Sequence, residues 1–224
     1  YYTDPVERIM ALSNAINEEL HSLADAGCPV VQLEEPQIHM IPARGKVFGK
    51  LDMAEMTEVF NNTVKGLVEI AEVWCHTCWG SPAAQRVANR DQSYEGALEY
   101  FDAFEIDVLT VEGASNECSD IVHVGKRISK DKKIAVGVVS HRTLQVERAE
   151  EVAARIRTCL EHIEPERLIL SSDCGFGRQA MSRMHAFYKM VALVRGANIV
   201  RKELGLEEVY IPACDPKLSM VPVE

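Results

Sequence analysis

His76-Thr77-Cys78, Val111-Glu112 at the end of one apolar run, and Ser172-Asp173-Cys174-Gly175 at the end of another supply residue types that bind a borderline-soft metal ion. Two thiolates, one imidazole and one carboxylate make a zinc ligand set. The carboxylate gives this set its chemical character. Structural zinc sites usually close with Cys and His alone, whereas an oxygen ligand is weaker and yields to an incoming group. With two thiolates and a carboxylate the centre is electron-rich, which makes it a poor Lewis acid for hydrolysis. It suits the binding of a substrate thiol, loss of the thiol proton and retention of a nucleophilic thiolate. The expected reaction is alkylation of a thiol.

Each member also has a plainer role open to it. His76 could be a satisfied core histidine, and Glu112 could cap the helix that follows it. Cys75 and Cys78 form a Cys-x-x-Cys, the spacing of a redox pair, but Trp79-Gly80-Ser81-Pro82 follows where a redox motif would open a helix. Cys28, Cys118, Cys159 and Cys214 read as ordinary small core or surface residues. Seven cysteines spread along the chain fit reduced thiols and metal ligands better than a disulfide framework.

These residues need elements to position them, and the hydrophobic pattern supplies alternating helices and strands. Helical spacing runs over residues 5 to 26 and stops at Gly27. Val30 to Leu33 reads as a strand ending in Glu34-Glu35-Pro36. A helix is expected over 51–67, and a strand over 68–73 that delivers His76 and Cys78. A polar stretch, Gly80 to Ser93, leads to a helix over 94–104 and a strand over 108–111 that delivers Glu112. Further helices are expected over 121–129, 146–163 and 187–204, with strands over 134–139, ending in Ser140-His141-Arg142, and 168–170, ending at Asp173 and Cys174.

Repeated βα units with unalternating apolar strands imply a parallel sheet covered by helices. Candidate functional residues fall just after strands, as in a (β/α)8 TIM barrel. Five strands do not close eight, which leaves an open sheet or a barrel of which this chain carries about five C-terminal βα units.

Composition excludes several classes. A net charge of -10 and a pI near 5.3 argue against nucleic acid as a partner. No apolar run reaches the length of a membrane span, and Tyr1-Tyr2-Thr3-Asp4-Pro5 lacks the features of a signal peptide, so the expectation is a cytoplasmic protein without a membrane partner. A homo-oligomer is neither required nor ruled out by the sequence.

Val31-Gln32-Leu33-Glu34-Glu35-Pro36, His76-Thr77-Cys78, Leu109-Thr110-Val111-Glu112 and Ser172-Asp173-Cys174-Gly175, in that order, resemble the catalytic domain of cobalamin-independent methionine synthases. The resemblance implies a single barrel domain over 1–224, within the methionine synthase-like and uroporphyrinogen decarboxylase-like superfamily, from which the N-terminal strands are absent. It implies a zinc-dependent methyltransferase of methionine biosynthesis that moves a methyl group to a thiol such as homocysteine through a zinc-bound thiolate. His76, Cys78, Glu112 and Cys174 are then the zinc ligands. Glu34 would hold the substrate ammonium, and His141 would protonate the leaving group of the donor. Where the family carries a further acid after Glu-Pro, this chain has Gln37-Ile38-His39-Met40. The donor therefore stays open among methylfolate, a methylcorrinoid and an epoxide. Two other readings are another zinc-dependent thiol alkyltransferase, such as an epoxide:coenzyme M or methylcorrinoid:thiol enzyme, and a zinc-binding subunit completed by a partner chain.

Overall fold

A computed structural model describes residues 1–44, 50–80, 92–178 and 181–219. Five strands, β1 (Val30–Glu34), β2 (Glu72–His76), β3 (Val108–Val111), β4 (Lys133–Val139) and β5 (Leu168–Ser172), form one sheet in chain order. β1 pairs in parallel with β2, and β2 with β3. Parallel crossovers are almost always right-handed. Taken in unbroken strand order, they put successive helices on one side of a sheet, as in a (β/α)8 barrel, whereas a doubly wound sheet reverses its order. β3 is buried throughout and β4 in all but Lys133, which is why both read as continuous apolar runs.

Seven α-helices are described: α1 (Pro5–Asp25), α2 (Ile41–Arg44), α3 (Met53–Val64), α4 (Leu98–Asp102), α5 (Ile121–Arg127), α6 (Ala149–Leu160) and α7 (Arg183–Glu203). Asp4 caps α1 by accepting from the Val6 N–H at 3.1 Å, with Pro5 at the first helical position. Asp52 and Glu55 make a reciprocal capping box on α3. Among the described residues no helix is long and apolar enough to cross a membrane.

Several boundaries differ from the expectations. The strand expected over 68–73 begins at Glu72. Gly66, at φ 76°, ends α3 in the left-handed region, and the chain then makes a single 3-10 turn over Leu67–Glu69 before it can pair. Val68 and Ile70 are exposed there, so their apolar character does not report a buried strand. The helix expected over 94–104 is a 3-10 turn, Glu95–Ala97, followed by the short α4. α6 is shorter than expected because Glu147 is used to tie down the preceding loop, and α7 is longer because Ser182 caps it, accepting from the His185 N–H. Of the polar stretch Gly80 to Ser93, residues 81–91 lie outside the described residues.

Packing divides the described residues into two compact units. The first takes in Tyr1–Trp79, Gln92–Thr110 and His123–Ile134. Its core includes Leu67, Val73, Leu98, Phe101 and a stacked pair, Phe60 and Phe104, with ring centroids 4.0 Å apart. Within it α1 meets α3 through polar side chains: Asn62 Nδ2 donates to Ser13 Oγ and to Asn14 Oδ1, both at 2.7 Å. Ser13 is buried, while Leu12, Ile16 and Leu23 of the same helix are exposed. The second unit takes in Val111–Val122 and Ala135–Glu224, with Val136, Val138, Val152, Ala153, Ile156 and Val200 in its core.

Candidate metal centre

Every candidate side chain lies at, or within two residues of, the C-terminal end of a strand. Glu34 ends β1, His76 ends β2 with Cys78 two residues on, Glu112 follows β3, His141 is second after β4, and Cys174 is second after β5. In a barrel this is the catalytic face.

In the first unit the parallel register places Glu34 opposite His76 and His76 opposite Thr110. His76 Nδ1 lies 2.8 Å from the Thr110 hydroxyl oxygen. Its Nε2 is buried and, among the described residues, has no hydrogen-bond partner. An imidazole held by one nitrogen, with the other presented bare in a buried site, has the form of a metal ligand and its orienting partner. The strand end is fixed around it: the Glu35 N–H donates to the His76 carbonyl at 2.9 Å, and the Thr77 hydroxyl donates to the Thr110 carbonyl at 2.6 Å. Two residues on, the Cys78 carbonyl meets His39 Nε2 at 3.0 Å, and the His39 ring packs edge-on against Trp79. Cys78 is buried.

Glu34 is exposed, and its neighbour Glu35 is buried. The Glu35 carboxylate accepts from the Gln37 and Ile38 N–H groups, at 3.1 and 2.8 Å, yet burial raises its pKa above the ordinary glutamate range. Burial, reinforced by that carboxylate, also pushes the fully buried Cys75 thiol well above its usual range. Cys75 is therefore kept a neutral thiol, the opposite of what a redox pair with Cys78 requires.

In the second unit Glu112, His141 and Asp173 are all buried, and one donor atom of each lies within 4.8 Å of the others. Arg142 pairs through Nη2 with Glu112 Oε2, and Ser115 Oγ donates to the same oxygen at 2.7 Å. Asp173 Oδ1 accepts from the Gly113 and Ala114 N–H groups, each at 2.9 Å, so the loop after β5 holds the loop that begins with Glu112. Burial first, and the negative charge of Glu112 second, push the Asp173 carboxyl up to about 7, against the opposing pull of the two N–H groups and Arg142. Gly137 makes room for this arrangement: a Cβ there would stand 2.3 Å from Asp173 Oδ1 and 2.5 Å from its Cα. Cys174, half-buried, follows directly.

The loop that carries His141 and Arg142 is pinned from behind. Glu147 accepts from the Ser140 N–H at 2.8 Å and pairs with Lys189 Nζ of α7 at 2.8 Å, and Lys189 also donates to the Gln145 carbonyl. The Lys189 side chain is fully buried. Sequence reasoning gave no role to Thr110, Arg142, Asp173, Glu147 or Lys189. Asp173 and Arg142 each adjoin a candidate residue, which is a usable signal. Lys189 is a lysine inside the apolar stretch of a helix, a weaker one.

A family described as the catalytic domain of cobalamin-independent synthase matches residues 3–197. Methionine synthase of Saccharolobus solfataricus is 30% identical over 204 residues, covering 91% of this chain and 54% of that protein. Methionine synthase of Thermococcus kodakarensis is 29% identical over 207 residues, covering 92% of this chain and 54% of that protein. A solved B12-independent methionine synthase from Shewanella sp. W3-18-1, in complex with selenomethionine, is similar with a TM-score of 0.75 at 25% identity, over 91% of this chain and 57% of that one. The fold is thus of the (β/α)8 barrel type, and the chain covers part of such a domain. It spans about half the length of the curated relatives it matches.

Proposed function

Because the chain belongs to the cobalamin-independent methionine synthase catalytic-domain family, we propose that it carries the zinc-binding part of a methyltransferase that delivers a methyl group to a small-molecule thiol, with homocysteine as the acceptor. His76, Cys78, Glu112 and Cys174 are the ligands in this reading. The observation that carries it is His76: one nitrogen engaged by Thr110, the other buried without a partner among the described residues. Further support comes from Cys78, a buried thiol two residues beyond His76 at the end of β2. The donor set also fits zinc, since soft thiolates and an imidazole select it over magnesium or calcium.

Zinc held by these residues would supply acidification of the substrate thiol, so that sulfur attacks as an anion near neutral pH. The remaining work falls to the protein. Thr110 orients the His76 ring. Glu112 would supply the oxygen ligand, the weakest of the four and the one that would yield to an incoming sulfur. Glu34, exposed at the end of β1, receives the substrate ammonium. His141, on a loop fixed by Glu147 and Lys189, protonates the leaving group of the donor, a general-acid role suited to an imidazole. Burial of the Glu112, His141 and Asp173 cluster keeps water from competing for the methyl group.

X-ray absorption at the zinc edge tests this reading. Addition of homocysteine to zinc-loaded protein is expected to add one sulfur to the first coordination shell and remove one oxygen or nitrogen. A shell unchanged by homocysteine, and equally by coenzyme M, would refute it. Methylfolate, methylcobalamin and a small epoxide, offered in turn to the thiol-loaded protein, identify the donor.

A further inference from the structure

We propose that Arg142 is the reserve partner of Glu112: a positioning residue whose guanidinium competes with zinc for the Glu112 carboxylate and receives it when a substrate thiol takes its place. The inference rests on the zinc reading above. It starts from an ion pair with donors to spare. Glu112 has a fully buried side chain, and one of its oxygens takes both Arg142 Nη2 and the Ser115 hydroxyl. Arg142, with only a sixth of its side chain exposed, leaves Nε and Nη1 buried without hydrogen-bond partners among the described residues. Buried donors are normally satisfied, and a planar guanidinium is built to grip both oxygens of a carboxylate. Arg142 thus has unused capacity on the side chain that already holds Glu112.

That capacity meets a need. A carboxylate that gives way to an incoming sulfur must keep its charge in a buried place, beside the buried Asp173 carboxylate, with ligand atoms of the two within 4.8 Å. Without a cation the displaced acid would be stranded at a cost that disfavours the exchange. With Arg142 and Ser115 in place it moves between two partners instead. Charge balances: Glu112 leaves as an anion, the thiol arrives as a thiolate, and the thiol proton passes to solvent. The arginine arrives with its neighbour His141 on the loop fixed by Glu147 and Lys189, so donor chemistry and ligand exchange share one support.

Chelator competition for zinc tests the proposal with the metal alone. Arg142→Met removes the competitor and is expected to raise zinc affinity about tenfold, or about 1.4 kcal/mol. In a Glu112→Gln background the same substitution should leave affinity unchanged, because the acid over which the two compete is gone. Arg142→Lys, which keeps the charge but loses the fork, is expected to fall between wild type and Arg142→Met, and serves if the methionine variant does not fold. A shift of equal size in both backgrounds would mean that Arg142 acts on the metal only as a distant charge, and an unchanged or lowered affinity in Arg142→Met would mean no competition; either overturns the proposal. Failure of the zinc reading looks different: wild type would bind no zinc, or Glu112→Gln alone would leave affinity untouched.

Discussion

The imidazole of His76 meets the hydroxyl of Thr110 at 2.8 Å, through Nδ1, across two neighbouring parallel strands. The contact fixes both the rotation of the ring and which nitrogen is left for a metal. Thr110→Val keeps a β-branched residue of similar volume in a buried strand while removing the hydroxyl. The fold should persist and zinc affinity should fall by about 10- to 100-fold, the usual effect of losing such an orienting partner. Chelator competition, alongside a urea unfolding curve, separates the two effects.

Gly137 leaves no room for a side chain, since the backbone of Asp173 stands in the way. Gly137→Ala should force β4 and the loop after β5 apart at a cost of about 1–3 kcal/mol. Urea titration measures the loss. Unchanged stability would mean that the Asp173 loop can retreat freely.

Lys189 and Glu147 form a buried pair that ties α7 to the loop bearing His141. Removing one partner strands the other charge, so Lys189→Met should cost about 3–5 kcal/mol. The double variant Lys189→Met with Glu147→Gln should recover part of that loss, because no charge is then left unpaired. Equilibrium unfolding of both variants checks the coupling.

Glu35 gives a pH dependence of definite sign. Its folded pKa is raised by burial above the ordinary value of 4.5. Both states are protonated well below 4.5, and the group then costs nothing. As pH rises through the unfolded value the unfolded chain ionises first, so stability falls until the raised folded value is passed and then levels off. Glu35→Gln retains an acceptor for the Gln37 and Ile38 N–H groups and should remove this part of the slope. Unfolding free energies from pH 4 to 8, wild type against variant, provide the comparison.

Much of this was legible in the sequence for a physical reason: buried parallel strands read as apolar runs, and residues just beyond them fall on one face of the fold. β1, β3, β4 and β5 therefore stand close to where the pattern puts them, with Glu34, Glu112, His141 and Cys174 at their ends. β2 was displaced because Val68 and Ile70 are apolar without being buried. The apolar spacing of α1 places that helix correctly, over Pro5–Asp25, although it meets α3 through Ser13, Asn14 and Asn62. Contacts between distant residues were beyond reach. His76 with Thr110, Glu112 with Arg142, and Glu147 with Lys189 each depend on which elements become neighbours, which local periodicity does not encode.

Zinc content of the purified protein, set beside that of Cys78→Ser and Cys174→Ser, tests whether this chain holds the metal through its thiolates. About one zinc per chain is expected in wild type and its loss from both variants, since each would remove a thiolate from the proposed four-ligand site. Full occupancy retained in both variants would contradict it.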